Sequence, residues 1–589
     1  MCTPQRLLHA ARLTAMAYVA YNGSAGRLGW ARSRPCGPDW ERGMLRNRRL
    51  ALLITILAAL AAAMAGCLPG ARTPGGTIHL NLGAEPPTLD PALAEDPSSI
   101  QADELLFLSL TDLDENTMEP VPELATGWQV SQDGLVWTFQ LRKDVNWVHY
   151  DPASGRLTRQ RPVTAHDVEF SIKRALDPAT ASSYAYVLFI IKNGEAYNSG
   201  KISDPAQVGV RAVGDYTVEF TLEHPASYFP AITALWVTRP APKELIDQFG
   251  YKWVEPGNIW TNGPYALAGW EHEASMTMVK NTAYYNARNV AIERIEWAMI
   301  RDGSAAFAQY KEGKLDVCDV PADELQAVRA DPALSQQVRV IPYLATFYLG
   351  FNNSKPPFDN KLVRQAFSYA LDRRALIDTV LKGEQRPAVS FAGPGVFGSP
   401  ASDPAYKGVE YNPDLARKLL AEAGYPDGKG FPQVTLAYYT SQLHRQVAEF
   451  AQKNWHDVLG VDVKLDNLEL RVYLKALNED TPQIFSSVWT PDYPDEDNWV
   501  FQNFDSAKGA NRIRWQNAEF DQLVEQARVE TDAQKRRDLY KRAEQILCVD
   551  EAAIVPVFHS THIVCTKPYV ARSYSPFGNE HIDKWSLRR

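Results

Sequence analysis

The sequence predicts an α/β protein, and three observations carry that reading. Apolar residues alternate with polar ones over 135–141 (Leu135, Trp137, Phe139, Leu141), as in a half-buried strand leaving the Asp133-Gly134 turn, and Tyr216, Val218, Phe220 and Leu222 repeat the pattern. Later, Leu362, Val363, Ala366, Phe367, Ala370 and Leu371 recur at spacings of three and four, which predicts an amphipathic helix capped by Asp359-Asn360 and ending at Gly383. The two kinds of pattern interleave along the chain, the signature of mixed strands and helices.

The remaining elements follow in order. The turn-rich, polar stretch Ala71-Arg-Thr-Pro-Gly-Gly76 predicts a flexible tether, after which Thr77 to Leu82 opens the folded body. The region 119–238 reads as rich in strands. Thr531-Asp532 starts a helix that buries Leu539, Ala543, Ile546 and Leu547, and the apolar run from Ala552 to Phe558, broken at Pro556, reads as a strand.

Composition narrows the function. A chain of 589 residues with 45% hydrophobic and 22% charged residues is long enough for several cores. The first 66 residues hold nine Arg and only Asp39 and Glu41, which leaves 52 basic and 68 acidic residues and a net charge of −16 for the rest. That balance repels phosphate backbones, so nucleic acid is not an expected partner.

The leader carries a different signal. From Met44, a basic flank is followed by an apolar stretch from Leu50 to Ala65 and the string Met64-Ala65-Gly66-Cys67. A basic flank, an apolar core and small residues before a cut define a secretory signal. The string resembles a bacterial lipobox, which implies lipidation of Cys67 after removal of residues 1–66, with Met44 as the expected translation start. A retained membrane anchor is the alternative, since the apolar run is near the lower limit of about 17 residues for a span. The folded body is therefore expected outside the cytoplasm, anchored by lipid.

No catalytic constellation emerges. Gly393-Pro-Gly395-Val-Phe-Gly398 fits G-x-G-x-x-G as a string, but Ser-Pro-Ala-Ser-Asp-Pro follows it rather than a helix, so it reads as a loop. There is no Walker loop, no zincin pair after His272-Glu273 and no G-x-S-x-G elbow. Cys2, Cys36, Cys67, Cys318, Cys548 and Cys565 lack zinc spacing, and a bridge from Cys548 to Cys565 is left open. No enzyme activity, cofactor or metal is expected.

An ordered set of motifs then identifies a resemblance. Glu85-Pro-Pro-Thr-Leu-Asp-Pro91 is followed by Pro122-Glu-Leu-Ala-Thr-Gly-Trp128, Thr164-Ala-His-Asp-Val168, Asn262-Gly-Pro-Tyr265 and Val363-Arg-Gln-Ala-Phe-Ser-Tyr-Ala-Leu-Asp-Arg373. Over residues 77–575 this resembles family 5 of the extracytoplasmic solute-binding proteins, which serve ATP-binding-cassette importers of oligopeptides, dipeptides, nickel and some sugars. The excursion from His149 to Arg161 is longer than the family's usual turn and is expected to reshape a rim of the cleft.

The resemblance implies a two-lobed, type II periplasmic-binding-protein-like fold with a ligand cleft between the lobes. It divides the chain into 77–118, an additional strand-rich subdomain at 119–238, and 239–342 in lobe 1; 343–552 in lobe 2; and 553–589 returning to lobe 1, after a linker at 67–76. It also implies a site in Trp489-Thr-Pro-Asp-Tyr-Pro-Asp495, where Asp492 would pair with a peptide's α-ammonium group and Trp489 would line a side-chain pocket. Arg364 and Asp372 are expected to bind helix ends or each other, and Trp128 and Trp137 to be core. The implied partners are a peptide-like ligand and the permease and ATPase subunits of the importer, with the binding protein a monomer. An oligosaccharide, a nickel chelate or an opine remains an alternative cargo, and an extracytoplasmic hydrolase or a sensor subunit an alternative class.

Overall fold

The computed structural model describes residues 76–578 and 580–588, so the leader, Cys67 and most of the tether lie outside the described residues. The first sheet begins where the tether ends. Thr77–Asn81 pairs in parallel with Arg294–Ala298, which continues antiparallel through Ser275–Lys280 to Tyr265–Glu271. A separate four-stranded sheet joins Ala125–Val130, Val136–Leu141, Thr217–Thr221 and Val210–Ala212. The strands read from alternation thus form, with Trp137, Phe139, Val218 and Phe220 buried on one face. Trp128 is partly buried against the same core.

The segment 149–161 folds as part of a hairpin, Asn146–Asp151 with Arg156–Pro162, which Trp260–Thr261 extends to three strands. Arg161 closes it onto the body by pairing with Asp167 at 2.7 Å and Glu244 at 2.5 Å.

A seven-stranded sheet runs Val317–Asp319, Ile554–Thr566, Val338–Phe351, Ile484–Trp489, Val434–Tyr439, Val463–Leu468, with Arg386–Pro387 pairing off Ile554–Thr566. Its two long members, Ile554–Thr566 and Val338–Phe351, pair with each other. Val338–Phe351 is buried throughout its second half, as expected of a strand covered on both faces. Pairing between these members lapses from Pro342/Thr561 to Thr346/His559. Pro342 has no N–H to give the ladder, and the N–H of Leu344 leaves it to reach Pro576 O at 2.9 Å. The pair of long strands is therefore ladder on either side of a short unpaired step.

The strand expected over 552–558 forms as part of Ile554–Thr566, and a register shift between Phe347 and Tyr348 places Pro556 at an irregular step of the ladder. The helix expected to reach Gly383 stops at Tyr369. The N–H of Asp372 is taken by Asn454 Oδ1 at 2.7 Å, and Asp372 then caps a new turn through Ala375 N at 2.9 Å. Arg364 binds the carbonyls of Glu551 and Phe358 and the Glu551 carboxylate, and Asp372 caps its own turn, so each binds near a helix end and neither holds the other.

The helix Pro97–Leu106 places an acid in the lobe 1 core. The Asp103 side chain is fully buried and its carboxyl oxygens have no hydrogen-bond partner. Burial raises its pKa well above the carboxylate range, against the opposing charge of Arg239. An acid whose folded pKa is raised binds more protons folded than unfolded. Its effect favours folding below the unfolded pKa and fades as pH rises through the window up to the folded pKa. Asp103→Asn is expected to flatten the stability-versus-pH curve there by up to about 1.4 kcal/mol per pH unit, measured by urea unfolding between pH 4 and 8.

Candidate functional site

The strand Ile484–Trp489 delivers the chain to the seam between the lobes, where Thr490-Pro491-Asp492-Tyr493-Pro494 turns away from the sheet. Asn498 fixes that turn: its Oδ1 accepts from Asp492 N at 2.9 Å and its Nδ2 donates to Asp492 Oδ2 at 3.0 Å. The loop 393–398, the G-x-G-x-x-G string, holds the next residues. Phe397 N donates to Pro494 O at 3.0 Å and Phe397 O accepts from Glu496 N at 2.9 Å. Gly398 has φ of +94°, and a Cβ there would lie 2.7 Å from the Tyr540 ring and 3.0 Å from Glu496 Cβ, so the close approach requires glycine. The string is a loop, as expected, and its structural work is to support the turn.

Asp495 anchors the far end of that turn. Its carboxylate takes a two-pronged bond from Arg536, both contacts at 2.7 Å, with both side chains almost inaccessible to solvent. Arg536 also donates to Ala527 O at 2.9 Å and Tyr540 OH at 3.0 Å. Arg536 belongs to the helix Ala533–Gln545, which Asp532 caps through Gln534 and Lys535 N–H groups. The cap was legible in the sequence.

Lobe 1 meets this turn directly. Tyr186 OH donates to Asp492 Oδ2 at 2.8 Å, the Tyr228 and Tyr493 rings stack at 5.6 Å and 3°, and Arg528 spans His224 Nε2 at 2.9 Å and Asp497 at 3.1 Å. Burial, and then the Arg528 charge, lowers the His224 pKa. A neutral His224 can accept from Arg528.

A cavity of about 310 Å³ opens at Asp492. Tyr184, Trp236, Tyr343 and Phe577 supply aromatic walls, and Glu95, Glu104, Asp112 and Arg239 supply charge. It shares Pro97, Gln101, Tyr343 and Gly578 with a second cavity of about 650 Å³, so the two lie side by side. Another hollow of about 540 Å³ lies along the seam beside Met118, Phe397 and Lys541, but Asp492 does not line it.

Electrostatics favour a cation at Asp492. Four carboxyl groups line the smaller cavity against Arg239, whose guanidinium is already committed to the Phe107 carbonyl. Burial raises the Asp492 pKa, and hydrogen bonds from Asn498 and Tyr186 oppose that shift. The same burial, helped by the Asp492 charge, pushes the Tyr184 hydroxyl up to about 12, so it stays protonated. The site is a partly buried carboxylate in an aromatic-walled cleft, with two donors already arranged around its Oδ2.

Trp489 stands apart from this cavity. It ends its strand opposite Thr346, partly buried against the lobe 2 core, with its indole N–H unpaired. None of the residues lining the Asp492 cavity comes from 149–161. Cys67 is outside the described residues. The open bridge from Cys548 to Cys565 does not form: the Cys548 thiol points to Glu544 Oε2 at 3.1 Å, while Cys565 stands opposite Cys318 in the sheet. Among the described residues, no group of three or more His, Cys, Asp or Glu side chains is arranged to hold a metal ion, and no helix is long and apolar enough to cross a membrane.

A two-lobed α/β body with a polar, aromatic-walled cleft at the seam defines a binding protein of the periplasmic type. The chain belongs to the bacterial extracellular solute-binding proteins of family 5, whose family model, described as the family 5 middle region, matches residues 119–511. It is 33% identical over 492 residues to the oligopeptide-binding protein OppA of Bacillus subtilis, covering 82% of this chain and 88% of that one. The unliganded open form of the periplasmic murein tripeptide-binding protein MppA superposes with a TM-score of 0.74 at 30% identity, covering 87% of this chain and 98% of MppA. OppA of Haemophilus influenzae in complex with the peptide RPPGFSPFR gives 0.67 at 28% identity, covering 88% of this chain and all of that one, 100%.

Proposed function

We propose that this protein captures peptides outside the cytoplasm and delivers them to an ATP-binding-cassette importer, with Asp492 receiving the ligand's α-ammonium group. The observation that carries this reading is the Asp492 carboxylate itself, partly buried at the wall of a cleft and accompanied there by acidic and aromatic side chains. A carboxylate aimed at an ammonium group gives about 1.5–3 kcal/mol as a charge-assisted hydrogen bond. Tyr184, Trp236 and Tyr343 offer apolar faces that accept varied side chains. The oligopeptide-binding relatives support a peptide cargo over a neutral sugar, for which a buried carboxylate would have no matching charge.

Capture works by closure. A ligand that touches both lobes stabilises the closed arrangement, and the unpaired step at Pro342–Thr346 is where the connecting strands can bend. Trp489, at the head of the same turn, is proposed to border the side-chain pocket when ligand is bound. Lipid on Cys67 would hold the monomeric protein near its permease. No bond is made or broken in this cycle. Ligands retained through purification test the cargo: native mass spectrometry is expected to find peptides with free N-termini, and a carbohydrate or metal chelate in their place would overturn the peptide reading.

Tyr186 makes a further prediction. Its hydroxyl donates to Asp492 Oδ2 and so competes with an incoming ammonium for that carboxylate. Tyr186→Phe removes that competitor and is expected to raise peptide affinity by about two- to tenfold, the range of one hydrogen bond of about 0.5–1.5 kcal/mol. Fluorescence titration checks it.

A further inference from the structure

We infer that Cys318 and Cys565 are joined by a disulfide in the exported protein. The two residues stand directly opposite each other in an antiparallel ladder, in the register Val317↔Thr566, Cys318↔Cys565, Asp319↔Val564. Directly opposed residues of such a ladder project to the same face, with Cα atoms about 4.5–5.5 Å apart. That lies within the span of about 4.4–6.8 Å that a disulfide bridges.

Neighbouring bonds fix the register. Val320 N donates to Ile563 O and Lys567 N to Asp316 O, each at 2.9 Å, so the strands cannot slide and part the cysteines. Both thiols also enter one apolar cluster with Phe307, Tyr310, Leu325 and Val328. The alternation of these bonds puts the cysteines at the wider, hydrogen-bonded spacing.

Two electrons and two protons leave the pair as the sulfur–sulfur bond forms. They pass to the disulfide of a thiol oxidant, protein or small molecule, which becomes a dithiol. In the folded protein burial pushes the Cys318 thiol to about 12 and Cys565 to about 11, leaving little thiolate for exchange. The bond therefore forms during folding, before the helices Gly303–Lys311 and Leu325–Ala330 cover the pair. It ties a lobe 1 edge strand to the part of Ile554–Thr566 below the unpaired step. The Asp319–His562 contact at 2.9 Å joins the same two strands. The inference rests on the extracytoplasmic setting and not on the choice of cargo.

The test is peptide mapping of the full chain, exported by a bacterial host, quenched in acid, alkylated and digested without reductant. A Cys318 peptide joined to the Cys565 peptide is expected. Reductant should release it and lower the Tm by several degrees, a shift that Cys318→Ser abolishes. Alkyl label on both cysteines, or Cys565 joined to Cys548, would overturn the inference. Refolding the purified chain in a glutathione redox buffer separates the chemistry from export: linkage there, with free thiols after export, would also overturn it for the exported protein.

Discussion

Asp492→Asn is expected to weaken binding of a free-amine peptide by about ten- to one-hundred-fold, the equivalent of a charge-assisted hydrogen bond of about 1.5–3 kcal/mol, and to leave the N-acetylated peptide unaffected. Asparagine keeps the shape and the bond from Tyr186 but removes the charge, so the loss reports the ammonium contact rather than a collapsed cavity. Acid should mimic the substitution. Burial raises the Asp492 pKa, so the carboxylate takes up its proton at a higher pH than an exposed aspartate, and wild-type affinity falls as pH drops through that range. The variant should show no such fall. Calorimetric titration of both peptides across pH measures the two effects together.

The largest stability effect is expected at Arg536. Arg536→Met leaves Asp495 buried without its partner and should cost about 3–5 kcal/mol, read as a lower urea midpoint. Burial already raises the Asp495 pKa, and Arg536 is the leading opposing influence. Removing it raises that pKa further. The folded state then binds a proton that the unfolded state releases, so the cost is greater at neutral pH than in acid. Asp495→Asn in the same chain removes the stranded charge and should recover part of the loss. Because Asp495 N bonds Tyr493 O at 2.9 Å and Asp497 N bonds Asp495 Oδ1 at 3.0 Å, loosening it also frees the turn that carries Asp492. Peptide affinity should therefore drop along with stability.

Local patterns were legible in the sequence where one face of an element meets one core. The alternation at Trp137 and Phe139 and the cap at Asp532 are of that kind, because period and capping chemistry are written in neighbouring residues. The ordered motifs carried the family, and with it Asp492. What stayed hidden is tertiary. Tyr186 reaches Asp492 across 306 positions of chain, and Tyr184, Trp236 and Tyr343 converge on the cavity from separate parts of the chain with no shared period. The break after Tyr369 escaped periodicity for the same reason, since Asn454 removes the N–H of Asp372 from the helix. Cys565 found its opposite number by strand register, which spacing in sequence does not encode.

The central claim is that Asp492 binds the amine end of a peptide. Calorimetric titration of the wild-type protein with a short peptide and its N-acetylated twin tests it most directly. Acetylation is expected to lower affinity by at least about tenfold in the wild type, since one such contact gives about 1.5–3 kcal/mol, and to have no effect in Asp492→Asn. Equal affinity of the wild type for the two peptides would contradict it.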